Sequence, residues 1–240
     1  MAVPSQAWGP GHMNSRVFKV GELVGAGNAL QFADNPRSSI PASKRLFDVL
    51  SASALLLLAA PFMFVIYLLV RLDGGPAIFA HRRIGQNGRP FYCLKFRSMF
   101  TDSAARLEDL LNTDPAARDE WARDHKLRVD PRVTPLGRFL RASSLDELPQ
   151  LINIIRGDMS VVGPRPIVQA EAPRYGARFA HYCRSRPGLT GIWQISGRND
   201  VSYRRRVAMD VLYSRYGSFV LDMKIVCLTI PAVLLSRGSY

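Results

Sequence analysis

The chain has 240 residues, 48% of them hydrophobic and 21% charged, which suits one large folded domain or a domain with an appendage. Its net charge of +13, most of it carried after residue 81, calls for an anionic partner: nucleic acid, an anionic membrane surface or a phosphorylated substrate. The three cysteines, Cys93, Cys183 and Cys227, are too far apart for a C-x-x-C pair, which argues against a disulfide framework and a cysteine zinc site and fits a reducing compartment.

Residues 1–43 are rich in Gly, Pro, Ser and Ala and lack the basic and apolar regions of a signal peptide. They read as a mobile leader or as a segment lying on a membrane or a partner. Val49 to Val70 then runs for 22 residues without a charge. As a helix it reaches about 33 Å, enough for a bilayer core of about 30 Å. Lys44 and Arg45 precede it, and Arg71, Arg82 and Arg83 follow, so both flanks carry the basic mark of the cytoplasmic side. Pro61 sits near the middle and is expected to kink or break the helix. The arms on either side reach only about 18 and 14 Å, too short to span alone. A re-entrant helix that enters and leaves by one face accounts for both observations, with a spanning helix as the alternative. Ser51 and Ser53 lie too far from Pro61 to satisfy its freed carbonyls. The organisation expected is a leader over 1–43, a membrane helix over 44–72 and a cytoplasmic body over 73–240.

The body opens on the turn Asp73-Gly74-Gly75-Pro76. Ile78 to Ala80 and Phe91 to Arg97 read as two strands around Gly85-Gln86-Asn87-Gly88. Period two puts Cys93, Lys95 and Arg97 on one face, where the two cations suit phosphate as well as solvent. Asp102 and Asp114-Pro115 mark two helix starts, and the helices they open read as packing or membrane-surface elements. A loop over 129–137 leads into a short helix carrying Arg138 and Arg141.

Ser143 to Pro166 holds the chemistry. Asp146 and Glu147 stand at the head of an apolar run, followed by a Gly157-Asp158 turn, a β-branched run, and Arg165 between Pro164 and Pro166. Ser144-x-x-Glu147 matches a capping box, and Asp146 suits an N-cap, so both acids have a purely structural reading. Against that, a helix N-terminus keeps carboxylates ionised, and Arg138, Arg141, Arg156 and Arg165 crowd the same stretch. An ionised carboxylate attacks phosphorus or binds Mg²⁺ through oxygen, and arginine forks hold a diphosphate.

Arg186 to Arg198 reads as a turn, a strand and a turn. Arg204-Arg205-Arg206 lies on a helical stretch as a solvated basic face or a contact for anionic lipid. Ile225 to Leu235 is uncharged but too short to span, and Pro231 interrupts it. His12, His81, His125 and His181 form no ligand-spaced pair.

These segments resemble the bacterial sugar transferase family, the monotopic polyprenyl-phosphate phosphoglycosyl transferases. The matching stretches are Lys44-Arg45-Leu-Phe-Asp48, Lys95-Phe-Arg-Ser-Met99, Asp130-Pro-Arg-Val-Thr134, Ser144-Leu-Asp-Glu-Leu-Pro-Gln150, Gly157 to Pro166, Arg186-Pro-Gly-Leu-Thr-Gly191 and Gly197-Arg198. Within the family the chain looks closest to the short exopolysaccharide-initiating enzymes, since larger relatives carry extra N-terminal membrane helices. The resemblance implies that Asp146 attacks the β-phosphate of a UDP-sugar and UMP leaves, and that the phosphosugar then passes to undecaprenyl phosphate. It implies Glu147 as the Mg²⁺ ligand and Arg165, with Pro164 and Pro166, in nucleotide or phosphate recognition. Lys95, Arg97 and Arg141 are further phosphate candidates. The resemblance also favours a re-entrant helix, broken at a Ser-Pro in some family members; here the pair is Ala60-Pro61. The expected fold is α+β and mostly helical: a re-entrant membrane helix, interfacial amphipathic helices and a small β-hairpin on the catalytic body. The expected setting is the bacterial inner membrane, body on the cytoplasmic face against anionic lipid, without nucleic acid. Galactose or glucose is favoured over N-acetylated sugars, and a homodimer is left open. The alternative function is a membrane-anchored basic protein that binds nucleic acid or anionic lipid without catalysis.

Overall fold

The computed structural model describes residues 41–124, 127, 129–196 and 201–234. Most of the expected leader, Gly197-Arg198, and His12 and His125 lie outside them.

Helix α1 (Ala42–Arg71) is the apolar run, and it is the described helix long and apolar enough to cross a membrane. It stays helical through Pro61, so the expected break does not interrupt it. The middle is bare: Leu57, Leu58 and Phe62 are 70–80% exposed. Both ends are tied to the body. At the first end, Ala52 packs against Leu151, Ile154 and Met159. At the second, Ile66 and Val70 pack against Ala77, Phe96 and Leu140.

The first end is held by polar contacts as well. Lys44 donates to Asp222 (2.7 Å) and to the Val162 carbonyl (3.2 Å). Arg45 donates to the carbonyls of Ile154 and Ile155 at 2.6 and 2.7 Å. Those are last-turn carbonyls of α5 (Gln150–Arg156), where a helix leaves acceptors open. Asp48, fully buried, accepts from the Ser160 hydroxyl and the Val161 amide at 3.0 Å each. Lys44 and Arg45, read as one membrane flank, thus direct their charge into the protein, whereas Arg71 and Arg82 on the other flank are exposed.

The expected hairpin is present. Strands β1 (Ile78–Ile84) and β2 (Pro90–Phe96) pair antiparallel from Ile78 opposite Phe96 to Ile84 opposite Pro90. Helices α2 (Ser103–Thr113) and α3 (Pro115–Asp124) follow, and the Asp114 carboxylate caps α3 by accepting from Ala116 and Ala117. Thr134 caps α4 (Pro135–Ala142) through the Gly137 amide.

Beyond α5 the chain forms β3 (Ser160–Val162), then the short helices α6 (Ala172–Tyr175) and α7 (Phe179–Arg184). Strand β4 (Gly188–Thr190) pairs parallel with β3. The strand expected after Arg186 is only these three residues; Ile192–Ile195 turns into α8 instead. Helices α9 (Tyr203–Tyr216) and α10 (Phe219–Leu234) complete the described chain. The apolar run at Ile225 is therefore part of a longer helix that also continues through Pro231.

One side chain sets the position of α5. Asn153, fully buried, accepts from the Leu94 amide (2.9 Å) and donates to the Tyr92 carbonyl (2.8 Å). Its amide thus pairs with β2 as a neighbouring strand would, and this brings the turn before α5 beside Lys95.

Candidate active site

Asp146 and Glu147 lie in their own 3₁₀ turn, Leu145–Glu147, and not at the head of α5. Pro149 occupies the position before α5. Neither structural reading of the acids holds. Ser144 makes no side-chain cap and has φ 59°, a left-handed conformation that costs a non-glycine residue about 1–2 kcal/mol. That turn directs the acids toward β2. Lys95 Nζ donates to Glu147 Oε1 at 2.6 Å and lies 3.6 Å from Asp146 Oδ2.

A small cleft, partly open to solvent, lies beside this group. Arg83, Lys95, Glu147, Arg165, Pro166 and Gln194 are in its wall, and Cys93 lies there too. Asp146 is a layer deeper, with 11% of its side chain exposed. Burial pushes the Asp146 carboxyl above the usual range; Lys95 pulls it back, Glu147 pushes it up and Arg141 pulls it down. The dipole expectation of a carboxylate held easily ionised is overturned: desolvation outweighs the neighbouring cations. Burial also pushes the Cys93 thiol up, so it stays protonated and is no nucleophile at neutral pH.

A nucleophilic carboxylate acts when ionised, so activity falls as pH falls through its pKa. The acid limb of kcat/KM is expected above the ordinary Asp value of about 3.9. Lys95→Met is expected to move that limb to higher pH, because it removes the cation that favours the charged form. A pH–rate profile of both proteins checks the order.

The other candidates separate. Arg165 is in the cleft and makes no ion pair or hydrogen bond among the described residues; its guanidinium stands 5.3 Å from the Trp193 ring centre. The Pro164 carbonyl accepts from Gly188 (2.7 Å), and the Pro166 carbonyl accepts from Arg83 (3.3 Å). Arg141 stays behind the dyad, donating to the Ser98 hydroxyl at 2.9 Å. Arg97 is not brought to the cleft: β2 ends at Phe96, and the guanidinium turns to Asp73 and the Val70 carbonyl at the end of α1. Arg138 and Arg156 are exposed.

Close backbone approach places the Arg165 loop. A side chain at Gly188 would put Cβ 2.1 Å from the Gly163 nitrogen, and one at Gly163 would meet the Arg186 carbonyl oxygen at 2.3 Å. Neither backbone atom can swing away. Gly188→Ala is therefore expected to cost about 1–3 kcal/mol and to raise the KM for the phosphorylated donor; chemical unfolding and initial rates measure both.

The donor set also bears on Mg²⁺. No group of three or more His, Cys, Asp or Glu side chains gathers among the described residues. Mg²⁺ usually takes one or two carboxylates with substrate phosphates, and Glu147 at the cleft edge suits that arrangement.

Sequence reasoning missed Asn153, Trp193, Glu171, which stands 3.7 Å from Arg83, and Arg206, whose guanidinium lies 4.8 Å from the Trp193 ring centre. The only signal for Arg206 was the basic triplet, of which Arg204 and Arg205 are exposed.

The family model for bacterial sugar transferases matches residues 40–236. The chain is 56% identical over 199 residues to the exopolysaccharide production protein ExoY of Rhizobium meliloti, covering 82% of this chain and 88% of that protein. It is 48% identical over 197 residues to the undecaprenyl-phosphate galactose phosphotransferase of Salmonella typhimurium, covering 82% of this chain and 41% of the relative. It is 39% identical over 214 residues to the UDP-glucose:undecaprenyl-phosphate glucose-1-phosphate transferase of Caulobacter vibrioides, covering 85% and 74%.

Proposed function

Because the chain belongs to the bacterial sugar transferase family, we propose that it moves a sugar-1-phosphate from a UDP-sugar to undecaprenyl phosphate and releases UMP. The observation that carries the reading is the Asp146–Lys95–Glu147 group beside a cleft walled by Arg83 and Arg165. It sets a buried carboxylate against cations suited to a diphosphate.

In the first step an Asp146 oxygen bonds to the β-phosphorus. The bond from that phosphorus to the bridging oxygen breaks, and UMP leaves with the electron pair. In the second, a phosphate oxygen of undecaprenyl phosphate attacks the same phosphorus and Asp146 departs as carboxylate. Lys95 and Arg165 meet the phosphate charge, Arg165 with a planar fork whose donors are uncommitted among the described residues. Glu147 would hold Mg²⁺, which would neutralise charge on the diphosphate.

The setting is the bacterial inner membrane, with the body on the cytoplasmic face and α1 re-entrant. Support comes from the two ends of α1, both packed on one body, while the apolar middle is bare. A helix crossing to the far side would carry one end away from that body. Labelling the N-terminus from the periplasmic side would overturn the re-entrant placement. Galactose or glucose is the proposed sugar, after the relatives named for those transfers. The non-catalytic binder is set aside because it gives the dyad no task.

The test is UMP release across a panel of UDP-sugars, with undecaprenyl phosphate, with and without Mg²⁺. Release confined to UDP-galactose or UDP-glucose, lost on chelation, is expected. No release from any donor would sink the assignment.

A further inference from the structure

Among the described residues three cations face the cleft, and two of them make ion pairs with acids. Lys95 pairs with Glu147 at 2.6 Å, and Arg83 stands 3.7 Å from Glu171. Arg165 makes no ion pair among the described residues, and the acid that feels its charge, the buried Asp210, is not in direct contact with it. What it has is the ring of Trp193, 5.3 Å away. That ring takes a second guanidinium, Arg206 at 4.8 Å, which also lies 5.3 Å from the Tyr203 ring. Glu171 reaches this group as well, 3.8 Å from Arg206.

We propose that Trp193 and Arg206 are positioning residues for Arg165, forming an aromatic–guanidinium stack that sets the plane of its fork in the cleft. The inference rests on the reading of Arg165 as a phosphate-binding residue. An aromatic face attracts a guanidinium without using any of its N–H donors. A carboxylate partner would occupy two of those donors and neutralise the charge; the ring leaves all of them for an oxyanion.

The packing around the ring supports this. Trp193 is 6% exposed and belongs to the cluster of Val162, Met209, Tyr213, Leu221 and Ile225. Its indole N–H is buried without a hydrogen-bond partner among the described residues. A buried tryptophan normally finds such a partner. The ring is therefore held by contacts of its body, and what it offers Arg165 is its π-face. Arg206 is similarly committed: its Nε and Nη2 are buried and make no hydrogen bond among the described residues. Its contacts are the two rings and the long approach to Glu171. Arg206 thereby departs from Arg204 and Arg205, its exposed neighbours on α9.

The test is a double-mutant cycle read in KM and kcat for the UDP-sugar. Trp193→Leu is expected to raise KM by about 3- to 30-fold with kcat nearly unchanged, since the fork binds the donor but does not react. Trp193→Phe keeps a face and is expected to recover most of that loss. In an Arg165→Lys background, Trp193→Leu is expected to add less than about twofold, because its effect passes through the missing fork. Arg206→Gln repeats the cycle at a less buried position, should Trp193→Leu not fold. Losses that simply multiply in both cycles, or an unchanged KM in Arg206→Gln or in a folded Trp193→Leu, would overturn the stack. Wild-type protein that releases no UMP from any donor would count against the transferase reading, whereas active wild type with multiplying losses counts against the stack alone.

Discussion

Asp146→Asn is expected to lower UMP release by about 10³-fold or more, while the protein becomes no less stable. The two readouts point in opposite directions for one physical reason. The carboxylate is buried, and burial pushes its pKa up, so the fold pays to keep it charged. Asparagine has nearly the same shape and no charge, so it relieves that cost. Lys95 keeps Glu147 as its partner at 2.6 Å, so the substitution leaves no cation stranded. What vanishes is the only species able to bond to phosphorus at this position. The thermal midpoint is therefore expected to stay level or rise, the pattern of a site whose stability and activity conflict. Steady-state UMP release and a thermal melt in the same detergent read both. A variant that stays fully active refutes Asp146 as nucleophile. A variant that loses activity together with its melting transition would show that the loss was structural.

The second large effect is on stability. Lys44→Met is expected to cost about 3–5 kcal/mol, and the double variant Lys44→Met/Asp222→Leu to recover most of it. Asp222 is 1% exposed. Its Oδ2 receives Lys44 at 2.7 Å and its Oδ1 receives the Tyr213 hydroxyl at 2.7 Å. Removing only the lysine leaves a buried carboxylate with one neutral donor. Removing both charges leaves an apolar contact between α1 and α10, which costs little when the volumes match. Lys44 is one of the contacts that attach the first end of α1 to the body, so its loss is also expected to loosen that end toward protease. Denaturant unfolding of the two single variants and the double variant measures the coupling. Strict additivity would show that the pair does not hold the helix.

The apolar helix and the hairpin were legible from pattern alone, because each depends on local periodicity and chain reach. The dyad was legible as an ordered motif, and so was Arg165. The break at Pro61 was not: proline weakens a helix locally, yet α1 continues through it. Arg97 misled for a similar reason. Alternation puts it beside Lys95, but the strand ends at Phe96 and the guanidinium turns to acceptors at the end of α1.

Lys44 and Arg45 show the divide most plainly. Read along the chain, they are basic flanks of an apolar run. Folded, they reach Asp222, 178 residues away, and the Ile154 and Ile155 carbonyls, more than 100 residues away. Asn153 shares that history, since its partners Leu94 and Tyr92 lie 59 and 61 residues away. The amino-acid sequence by itself determined the family, the membrane-length helix and which two acids are the candidates, because composition, period and motif order are properties of neighbours along the chain. Only the tertiary structure decided how deep Asp146 is buried, which cation stands between it and Glu147, and which arginine keeps its donors open. Those depend on desolvation and on distances across the fold, and neither is encoded at any one position.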